Sequence, residues 1–347
     1  MRSRSTRARY RAIIAGTALA AAAVGTASTP ATAAPRHPES GFTVRAFPAV
    51  GSESKPDDLT RLGNAIYVAF QNGVGPKGEA SPTGVTESRI QQYSLSGEPG
   101  ASWAVTGKVD GLTADPAHRR LLVTTNEDGN SSFHTLQPGS RHPLRTYTYS
   151  GLASGGGTDA ISLYRGQVIV SASNPAAASA PASYRVRLAG STAKLTPLFA
   201  DNAHAVLADG PHAGKTVALA LTDPDSNEVV PSASPRFKQD FVLDGQADQQ
   251  LVFARHLGAR NQRLEVLQLS QPVNDTAFVT CAGHTIWITD PTSNKVYAVS
   301  GFRPHDVITA AVPAAGSFLG RLNLATGAVA PIGQLSTIHP AGLLVTR

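Results

Sequence analysis

Cysteine, aromatic and charged residues are all scarce in this chain of 347 residues. The single cysteine, Cys281, excludes an intramolecular disulfide and every paired-cysteine metal motif. Aromatic residues make up 6% of the chain and charged residues 16%, whereas there are 32 glycines and 24 prolines. The sequence also lacks a Gly-x-Ser-x-Gly elbow and a His-Glu-x-x-His zinc motif, so two common hydrolase sites are excluded. The composition favours short strands and tight turns over helices.

The first 33 residues have the organisation of a secretory signal. Five arginines precede the apolar run 12–23, and Ala31-Thr32-Ala33 supplies a small-residue cleavage site. The alternative is an uncleaved membrane anchor, but the apolar run is short for a membrane span. We therefore predict a secreted, extracellular protein that has no membrane attachment after cleavage. The predicted organisation is a signal peptide over 1–33, a flexible tail over 34–41 and a single domain over 42–347.

Removal of the signal changes the charge balance. The whole chain has 30 basic and 24 acidic residues, and five of the basic ones lie in the signal, which leaves 25 basic residues and a net charge of +1. The sequence has no clustered run of lysines and arginines that could follow a phosphate backbone, so nucleic acid is not an expected partner. We expect a monomer that binds a small-molecule or protein ligand, without an organic cofactor.

A short motif recurs along the chain, in which an acidic residue opens an apolar strand. The copies are Pro56-Asp57-Asp58-Leu59, Val109-Asp110-Gly111-Leu112, Thr158-Asp159-Ala160-Ile161 and Asn274-Asp275-Thr276-Ala277. Asp57 and Asp110 are 53 residues apart, and Asp110 and Asp159 are 49 apart. The next gap, to Asp275, is 116 residues, or two steps of 58. A further copy must lie in that gap, and the weaker match 202–205 is predicted to fill it.

A period of about 50 residues with four short strands per repeat is typical of a β-propeller. The sequence therefore predicts an all-β propeller of six blades, with five blades or a pair of β-sandwiches as the alternatives. The strands 42–47 and 343–345 are predicted to share the closing blade. Two segments, 238–253 and 303–316, do not fit the four-strand scheme and are treated as insertions. The first is predicted either to add strands to the fourth blade or to cross one face of the ring.

Two further segments are near-copies of each other. They are Thr222-Asp223-Pro224-Asp225-Ser226-Asn227 and Thr289-Asp290-Pro291-Thr292-Ser293-Asn294. Each follows an apolar run, so both are predicted to be exits from second strands of their repeats.

Part of the repeat resembles NHL-repeat propellers. The resemblance rests on Asp-Gly-Leu-x-x-Asp-Pro in 109–116 and on the segment 286–297, which is similar to their second-to-third strand hairpin. The wider group with these features includes gluconolactonase-like, strictosidine-synthase-like and streptogramin-lyase-like proteins. The resemblance covers most of the mature chain and implies the fold rather than one activity.

The resemblance also implies where a metal would lie. Gluconolactonase-like enzymes hold a divalent metal with a glutamate near the first blade and with an asparagine and an aspartate from later inner strands. In this chain Asp57 and Asp58 stand near the position of that glutamate, and Asn274 and Asp275 match the later ligands loosely. The sequence contains no His-x-His pair of the streptogramin-lyase kind.

The register places four aspartates at one position beside the predicted channel. Like charges so close need a cation or must take up protons, and oxygen ligands suit calcium or magnesium. The predicted metal ligands are Asp57, Asp110, Asp159, Asn274 and Asp275. The alternative is that each aspartate accepts hydrogen bonds from backbone amides at its own turn. His204 and His339 lie beside the same position and are candidate general bases, although a surface or turn position also fits each.

A second possible calcium loop is Asp223-x-Asp225-x-Asn227, which carries the first three ligands of such a loop. It lacks the glycine expected at the sixth position, where Glu228 stands. Two functions therefore remain open. One is a binding protein that uses the channel mouth, which the missing first-blade glutamate favours. The other is a metal-dependent hydrolase of a lactone or ester, with a histidine as base.

Overall fold

Strands make up nearly all the regular structure of the described residues. The computed structural model describes residues 41–153, 156–175 and 179–347. The predicted signal over 1–33 and all but the last residue of the predicted tail lie outside them. The only helical segments in the described ranges are two short 3-10 turns, Pro116–His118 and Gly333–Leu335. No helix in these ranges is long and apolar enough to cross a membrane.

The first thirteen strands form three antiparallel four-stranded sheets and one separate N-terminal strand. The separate strand is β1 (Thr43–Pro48). The first sheet contains β2 (Pro56–Leu62), β3 (Ala65–Phe70), β4 (Glu87–Ser94) and β5 (Pro99–Thr106). The second contains β6 (Val109–Asp115), β7 (Arg120–Thr125), β8 (Ser132–Leu136) and β9 (Leu144–Ser150). The third contains β10 (Gly157–Tyr164), β11 (Gln167–Ser173), β12 (Pro181–Ala189) and β13 (Thr192–Ala200). Parallel pairing of β9 with β13 joins the second and third sheets into eight continuous strands.

The fourth sheet departs from the sequence prediction. Its strands are β14 (His204–Leu207), β15 (Thr216–Ala218), β16 (Pro224–Val229), β17 (Phe241–Gly245), β18 (Gln250–Arg255) and β19 (Arg263–Gln268). The innermost strand is β16, whereas β14 and β15 extend the outer edge beyond β19. The assignment of 202–205 as the missing inner copy was therefore wrong, and Pro224-Asp225 opens the inner strand instead. The segment 238–253 contains β17 and part of β18, so it belongs to the fourth sheet, as the first of its two alternatives predicted, and is not an insertion across a face of the ring.

One hairpin crosses from the fifth sheet to the closing sheet. The remaining strands are β20 (Val273–Phe278), β21 (Thr285–Asp290), β22 (Lys295–Ser300), β23 (Val307–Ala311), β24 (Phe318–Leu322), β25 (Val329–Pro331) and β26 (Leu343–Thr346). The fifth sheet has the order β20-β23-β24-β25, and the closing sheet has the order β26-β21-β22-β1. The chain thus leaves β20, builds the hairpin β21–β22 in the closing sheet, and returns. The segment 303–316 was predicted to be an insertion and instead carries β23, the second strand of the fifth sheet.

The two near-copied segments, 222–227 and 289–294, lie at different places in the fold because of this crossing. Segment 222–227 leads into the inner strand β16, whereas 289–294 ends β21 and forms the turn before β22. Their similarity in sequence does not reflect the same place in the fold.

The two ends of the described chain meet in the closing sheet, which confirms the prediction for 42–47 and 343–345. Hydrogen bonding runs from β1 through β22 and β21 to β26. Trp287 lies at the centre of this sheet and is 2% exposed. Its Nε1 donates to Thr346 Oγ1 at 3.1 Å, and its ring stacks on Phe47 with centroids 5.6 Å apart. Burial of this large ring and its polar atom together stabilises the closure.

The sheets close into a ring. The inner strands, which we define as β2, β6, β10, β16, β20 and β26, contact one another in that cyclic order, and β26 returns to β2. A separate apolar cluster fills the space between each pair of neighbouring sheets. Each sheet thus buries both faces against its neighbours, which a single sheet cannot do alone. This circular arrangement around a central cavity confirms the predicted all-β propeller architecture.

Candidate functional site

The repeated acidic motif forms a β-bulge. In five of the inner strands the pairing register shifts at the motif, between the residues on either side of it. These shifts lie at Pro56/Leu59, Val109/Gly111, Thr158/Ile161, Pro224/Asn227 and Val273/Asp275. An extra residue in one strand bends the chain and re-aims a side chain. The bulges therefore turn polar side chains toward the axis of the ring. In a regular strand, alternation would point some of these side chains toward the neighbouring sheets instead.

The central cavity has a volume of about 670 Å³ and receives residues from all the inner strands. Ten carboxylate residues line it, out of 24 acidic residues in the chain. They are Asp57, Asp58, Asp110, Glu127, Asp128, Asp159, Asp223, Asp225, Glu228 and Asp275. Lys108 is the only positively charged side chain among the described residues that line the cavity. The cavity therefore has a strongly negative potential, although residues 34–347 together carry a net charge of only +1.

Hydrogen bonds between sheets show that Asp275 does not occupy the position in the repeat that the sequence predicted for it. Asp58 Oδ2 accepts the backbone N–H of Leu112 at 2.6 Å, and Asp275 Oδ2 accepts that of Leu343 at 2.6 Å. Asp275 is therefore equivalent to Asp58, not to Asp57. Asn274 takes the place of Asp57, because it is the bulged residue of its strand.

The aspartates of the cavity thus fall into two kinds. Asp58 and Asp275 also accept the N–H of their own following residue, at 2.6 and 2.7 Å. Both carboxylates therefore bond backbone amides, which is the alternative raised by the sequence. The carboxylates of Asp57 and Asp159, in contrast, accept no hydrogen bond from the residues that the structure describes, and both face the cavity. These two remain open to a ligand.

Lys108 pairs with the acids on its own side of the cavity. Its Nζ lies 2.9 Å from Asp110 Oδ1 and also contacts Glu127 Oε1. The Glu127 N–H donates to Asp110 Oδ2 at 3.1 Å. Asp110 is thus held as a partner of Lys108.

Gln246 links the fourth and fifth sheets at the cavity wall. Its Nε2 donates to Asp225 Oδ2 at 2.6 Å and to Asn274 Oδ1 at 2.7 Å. One amide therefore fixes two of the sequence-predicted ligands relative to each other.

Burial disfavours the charged form of the cavity carboxylates. It raises the pKa of Asp57 to about 6, although Lys108 opposes the shift. It raises the pKa of Asp275 to about 7, against its two backbone hydrogen bonds. Burial and then the charge of Asp225 raise the pKa of Asp159 well above its ordinary range. Negative charge crowded in this way favours the approach of a cation.

The two candidate bases lie away from these carboxylates. His204 is exposed at the outer edge of the fourth sheet and lines a different cavity of about 700 Å³. Its proximity to the axis was inferred from 202–205 being an inner strand, which it is not. The Nδ1 of His339 lies 3.2 Å from the carbonyl oxygen of Ser317, and its N–H donates to Asp290 at 3.0 Å. Neither histidine lines the central cavity.

The predicted calcium loop is not a loop. Asp225 and Asn227 belong to β16, and Asp223 precedes it. All three line the central cavity, but Asn227 faces the third sheet, where its Nδ2 donates to Ser171 Oγ at 3.3 Å. These residues therefore extend the central acidic cavity and do not form a second one.

The oxygen donors suit a hard cation in type but are not gathered around one point. Carboxylate and amide oxygens are the ligands that calcium and magnesium prefer. However, among the described residues no three His, Cys, Asp or Glu side chains are placed to hold one metal ion. The predicted ligands Asp57, Asp110, Asp159, Asn274 and Asp275 thus share a cavity without forming a metal centre in this structure.

Several residues of the cavity escaped the sequence analysis. They are Lys108, Glu127, Asp128, Glu228 and Gln246, none of which was a candidate ligand. Lys108 directly precedes the motif at Asp110, and a charged residue before an acidic repeat was a signal that could have been used. Glu127 and Gln246 lie in the turns that follow β7 and β17, so only the folded ring reveals their place.

No protein-family model matches the chain, and no curated protein matches it by sequence. Among solved structures, the chain is similar to the periplasmic gluconolactonase of Pseudomonas aeruginosa, with 12% identity over 84% of this chain and 88% of that chain and a TM-score of 0.47. It is also similar to a streptogramin B lyase, with 12% identity over 81% and 84% of the two chains and a TM-score of 0.44. These similarities are too distant to carry an activity across.

Proposed function

We propose that this chain is an exported, six-bladed β-propeller whose central acidic cavity binds a positively charged small molecule. The observation that carries the proposal is the group of ten carboxylates around one cavity with a single lysine. A volume of about 670 Å³ falls within the ordinary range of small-molecule sites, roughly 300–1,000 Å³. The proposal also takes the chain to be a monomer once its signal has been removed.

The blade number follows from the inner strands. Counting the eight-stranded sheet as two blades gives one blade for each of β2, β6, β10, β16, β20 and β26. The distribution of apolar clusters between neighbouring sheets supports this count. The gluconolactonase-like and NHL-repeat resemblance of the sequence is consistent with it.

The sign of the ligand's charge follows from electrostatics. An anionic ligand such as a sugar acid or a phosphate ester would meet repulsion from most sides, whereas a cation would relieve the repulsion between the carboxylates. A small molecule is favoured over a protein ligand because the carboxylates lie within the ring rather than on a flat outer surface.

A metal-dependent hydrolase of a lactone or ester is the second candidate. The oxygen-only donor set favours it, since calcium or magnesium bound there would polarise a carbonyl group. The five predicted ligands would have to move to surround one ion, and neither His204 nor His339 lines the cavity, so neither is placed to act as the base. We therefore rank this candidate below binding.

The proposal is tested by ligand-induced thermal stabilisation of the purified mature chain. The panel contains calcium and magnesium chloride, diamines, neutral sugars, gluconate and a phosphate ester, all at one ionic strength. We expect cations to raise the unfolding temperature and anions to have no effect. Stabilisation by anions alone, or by none of the panel, would contradict cation binding. The hydrolase is tested by metal analysis of the purified chain and by lactone and ester turnover with and without chelator. Absence of both metal and turnover would reject it.

A further inference from the structure

The first bulged residue of each inner strand from β2 to β20 occupies an equivalent position around the axis. We call this set of five side chains the bulge ring. Its members are Asp57, Asp110, Asp159, Asp225 and Asn274, and all of them line the central cavity. The inner strands contact one another in chain order, so neighbours in this series are also neighbours in space.

Gln246 shows how closely two members of the bulge ring approach each other. Its Nε2 donates to Asp225 Oδ2 at 2.6 Å and to Asn274 Oδ1 at 2.7 Å. These two acceptors belong to the neighbouring strands β16 and β20. A single donor group can therefore bridge adjacent positions of the bulge ring.

Asp110 is already compensated from within the chain. Its Oδ1 pairs with Lys108 Nζ at 2.9 Å, and its Oδ2 accepts the N–H of Glu127 at 3.1 Å. Lys108 is the only positively charged side chain among the described residues that line the cavity. No basic side chain of the described cavity wall is thus left for the next member of the ring, Asp159.

The supply of donors stops between Asp159 and Asp225. Asp159 is 6% exposed, and neither of its carboxylate oxygens accepts a hydrogen bond from the described residues. Asp225 uses Oδ2 for Gln246, whereas its Oδ1 has no partner among the same residues. Native proteins leave few buried polar groups without a partner. Three open oxygens on neighbouring strands therefore indicate that a ligand supplies the missing donors.

The three open oxygens lie on the surface of the cavity. Atoms that are both fully enclosed and unpartnered occur elsewhere on the wall, at Glu228 Oε1 and Asn227 Oδ1, but the oxygens of Asp159 and Asp225 are not among them. Asp225 as a whole is half-buried. A ligand in the cavity can therefore touch these oxygens without a change in the strands.

Electrostatics point to the same gap. Burial and then the charge of Asp225 raise the pKa of Asp159 well above its ordinary range. Repulsion between the two carboxylates is thus the largest effect of any single charge on Asp159. A positive group placed between them would replace this repulsion with two attractions.

We propose that the gap between Asp159 and Asp225 is the subsite for a guanidinium group of the ligand, which donates two N–H bonds to the Asp159 carboxylate and one to Asp225 Oδ1. This inference rests on the proposed cation-binding function and names the part of the ligand that carries the charge. The bridge would repeat, one strand further back, the link that the Gln246 amide makes between Asp225 and Asn274.

A guanidinium group fits these acceptors better than an ammonium group or a metal ion does. Its planar fork pairs bidentately with a carboxylate whose two oxygens are both free, as those of Asp159 are, and further N–H groups remain for Asp225. An ammonium is a point charge without this fork. Calcium takes six to eight oxygen ligands, and the described residues place no three acidic or histidine side chains around one point.

The test is isothermal titration calorimetry of the mature chain with 1-butylguanidine at pH 7.5. Butylamine and butyltrimethylammonium carry the same charge on the same butyl chain, the first without the planar fork and the second without any N–H group. Calcium and magnesium chloride form two further arms. We expect 1-butylguanidine to bind at least tenfold more tightly than either organic control, and to be bound in preference to either metal ion.

Matched variants locate the subsite. Asp159→Asn is expected to weaken binding of 1-butylguanidine by tenfold or more, and Asp225→Asn by fivefold or more. Asp57→Asn makes the same change at an equivalent position two inner strands away, and its effect should be several-fold smaller than that of Asp159→Asn. Glu98→Gln removes an exposed charge outside the cavity and should change nothing.

Equal losses in Asp159→Asn and Asp57→Asn would show that only the total charge matters, which overturns the location. If Asp159→Asn does not fold, Asp225→Asn is compared with Asp57→Asn in the same way.

The remaining outcomes separate this inference from the proposed function. Equal binding of butylamine or butyltrimethylammonium would overturn the guanidinium subsite but leave a cation-binding cavity. Binding of calcium or magnesium in place of 1-butylguanidine would do the same. If no cation binds, the proposed function fails together with the inference.

Discussion

Asp58 and Asp275 make the same bond in different sheets. Asp58 accepts the backbone N–H of Leu112 in the second sheet, and Asp275 accepts that of Leu343 in the closing sheet, both at 2.6 Å. Each carboxylate therefore ties its inner strand to the next one around the ring. Aspartates that look alike in sequence, and that all line the cavity, thus divide into those that hold the ring together and those whose carboxylates are left open.

This division predicts opposite effects for neighbouring substitutions. Asp58→Ala leaves the backbone N–H groups of Leu59 and Leu112 without their acceptor, so we expect a loss of about 1–3 kcal/mol in the free energy of unfolding. Asp57→Ala removes a carboxylate that accepts no hydrogen bond from the described residues and is disfavoured by burial. We expect it to be neutral or stabilising. Urea denaturation at pH 7.5 measures both, and equal losses would contradict the division.

The repeat itself could be predicted from sequence, because a bulged aspartate at the start of an inner strand is a local feature. Asp57, Asp110 and Asp159 were placed in this way, and all three line the cavity. Spacing alone did not locate the fourth copy, because it pointed to 202–205. The Pro-Asp pair at 224–225 repeats the Pro-Asp pair at 56–57 and was the better signal.

The rest depended on contacts that are distant in sequence. The hairpin β21–β22 follows β20 along the chain, yet it pairs with β26. Local patterns give the same strands whether the hairpin stays in its own sheet or crosses to the next. The register of Asp275 was likewise fixed by Leu343, which lies 68 residues away. Side-chain roles in the cavity therefore required the folded ring.

The cavity carboxylates should make the protein less stable as the pH rises. Burial raises the pKa of Asp57 to about 6, whereas the unfolded chain titrates this group near 3.8. The folded state therefore binds more protons between these values, and the free energy of unfolding falls as pH increases through that window. We expect the loss between pH 4.5 and 7 to be smaller in Asp57→Asn than in the wild type. Urea midpoints that fall by the same amount in both proteins between pH 4.5 and 7 would contradict this expectation.

His134 should act in the opposite direction. It is 3% exposed, and its ring nitrogens lie 2.9 Å from Ser132 Oγ and 3.0 Å from Thr146 Oγ1. Burial lowers its pKa to about 4, below the unfolded value of 6.5. The unfolded state then binds more protons, so this contribution is complete above pH 6.5 and is lost as pH falls toward 4. We expect the His134 ring resonances in NMR spectra to stay unchanged from pH 7 to 5. A titration midpoint near 6.5 would show that the ring is not held in its neutral form.

Gly342 should be intolerant of a side chain because two sheets meet at its backbone. Its N–H lies 2.7 Å from Thr289 Oγ1 and 3.1 Å from the carbonyl oxygen of Asp57, and a Cβ at this position would overlap that oxygen. We expect Gly342→Ala to lower the free energy of unfolding by about 1–3 kcal/mol, since backbone cannot move aside as a flexible side chain can. Gly333→Ala is the control, because nothing lies within 4 Å of its added Cβ. Guanidinium denaturation compares the two, and a harmless Gly342→Ala would show that the first and closing sheets are not packed this closely.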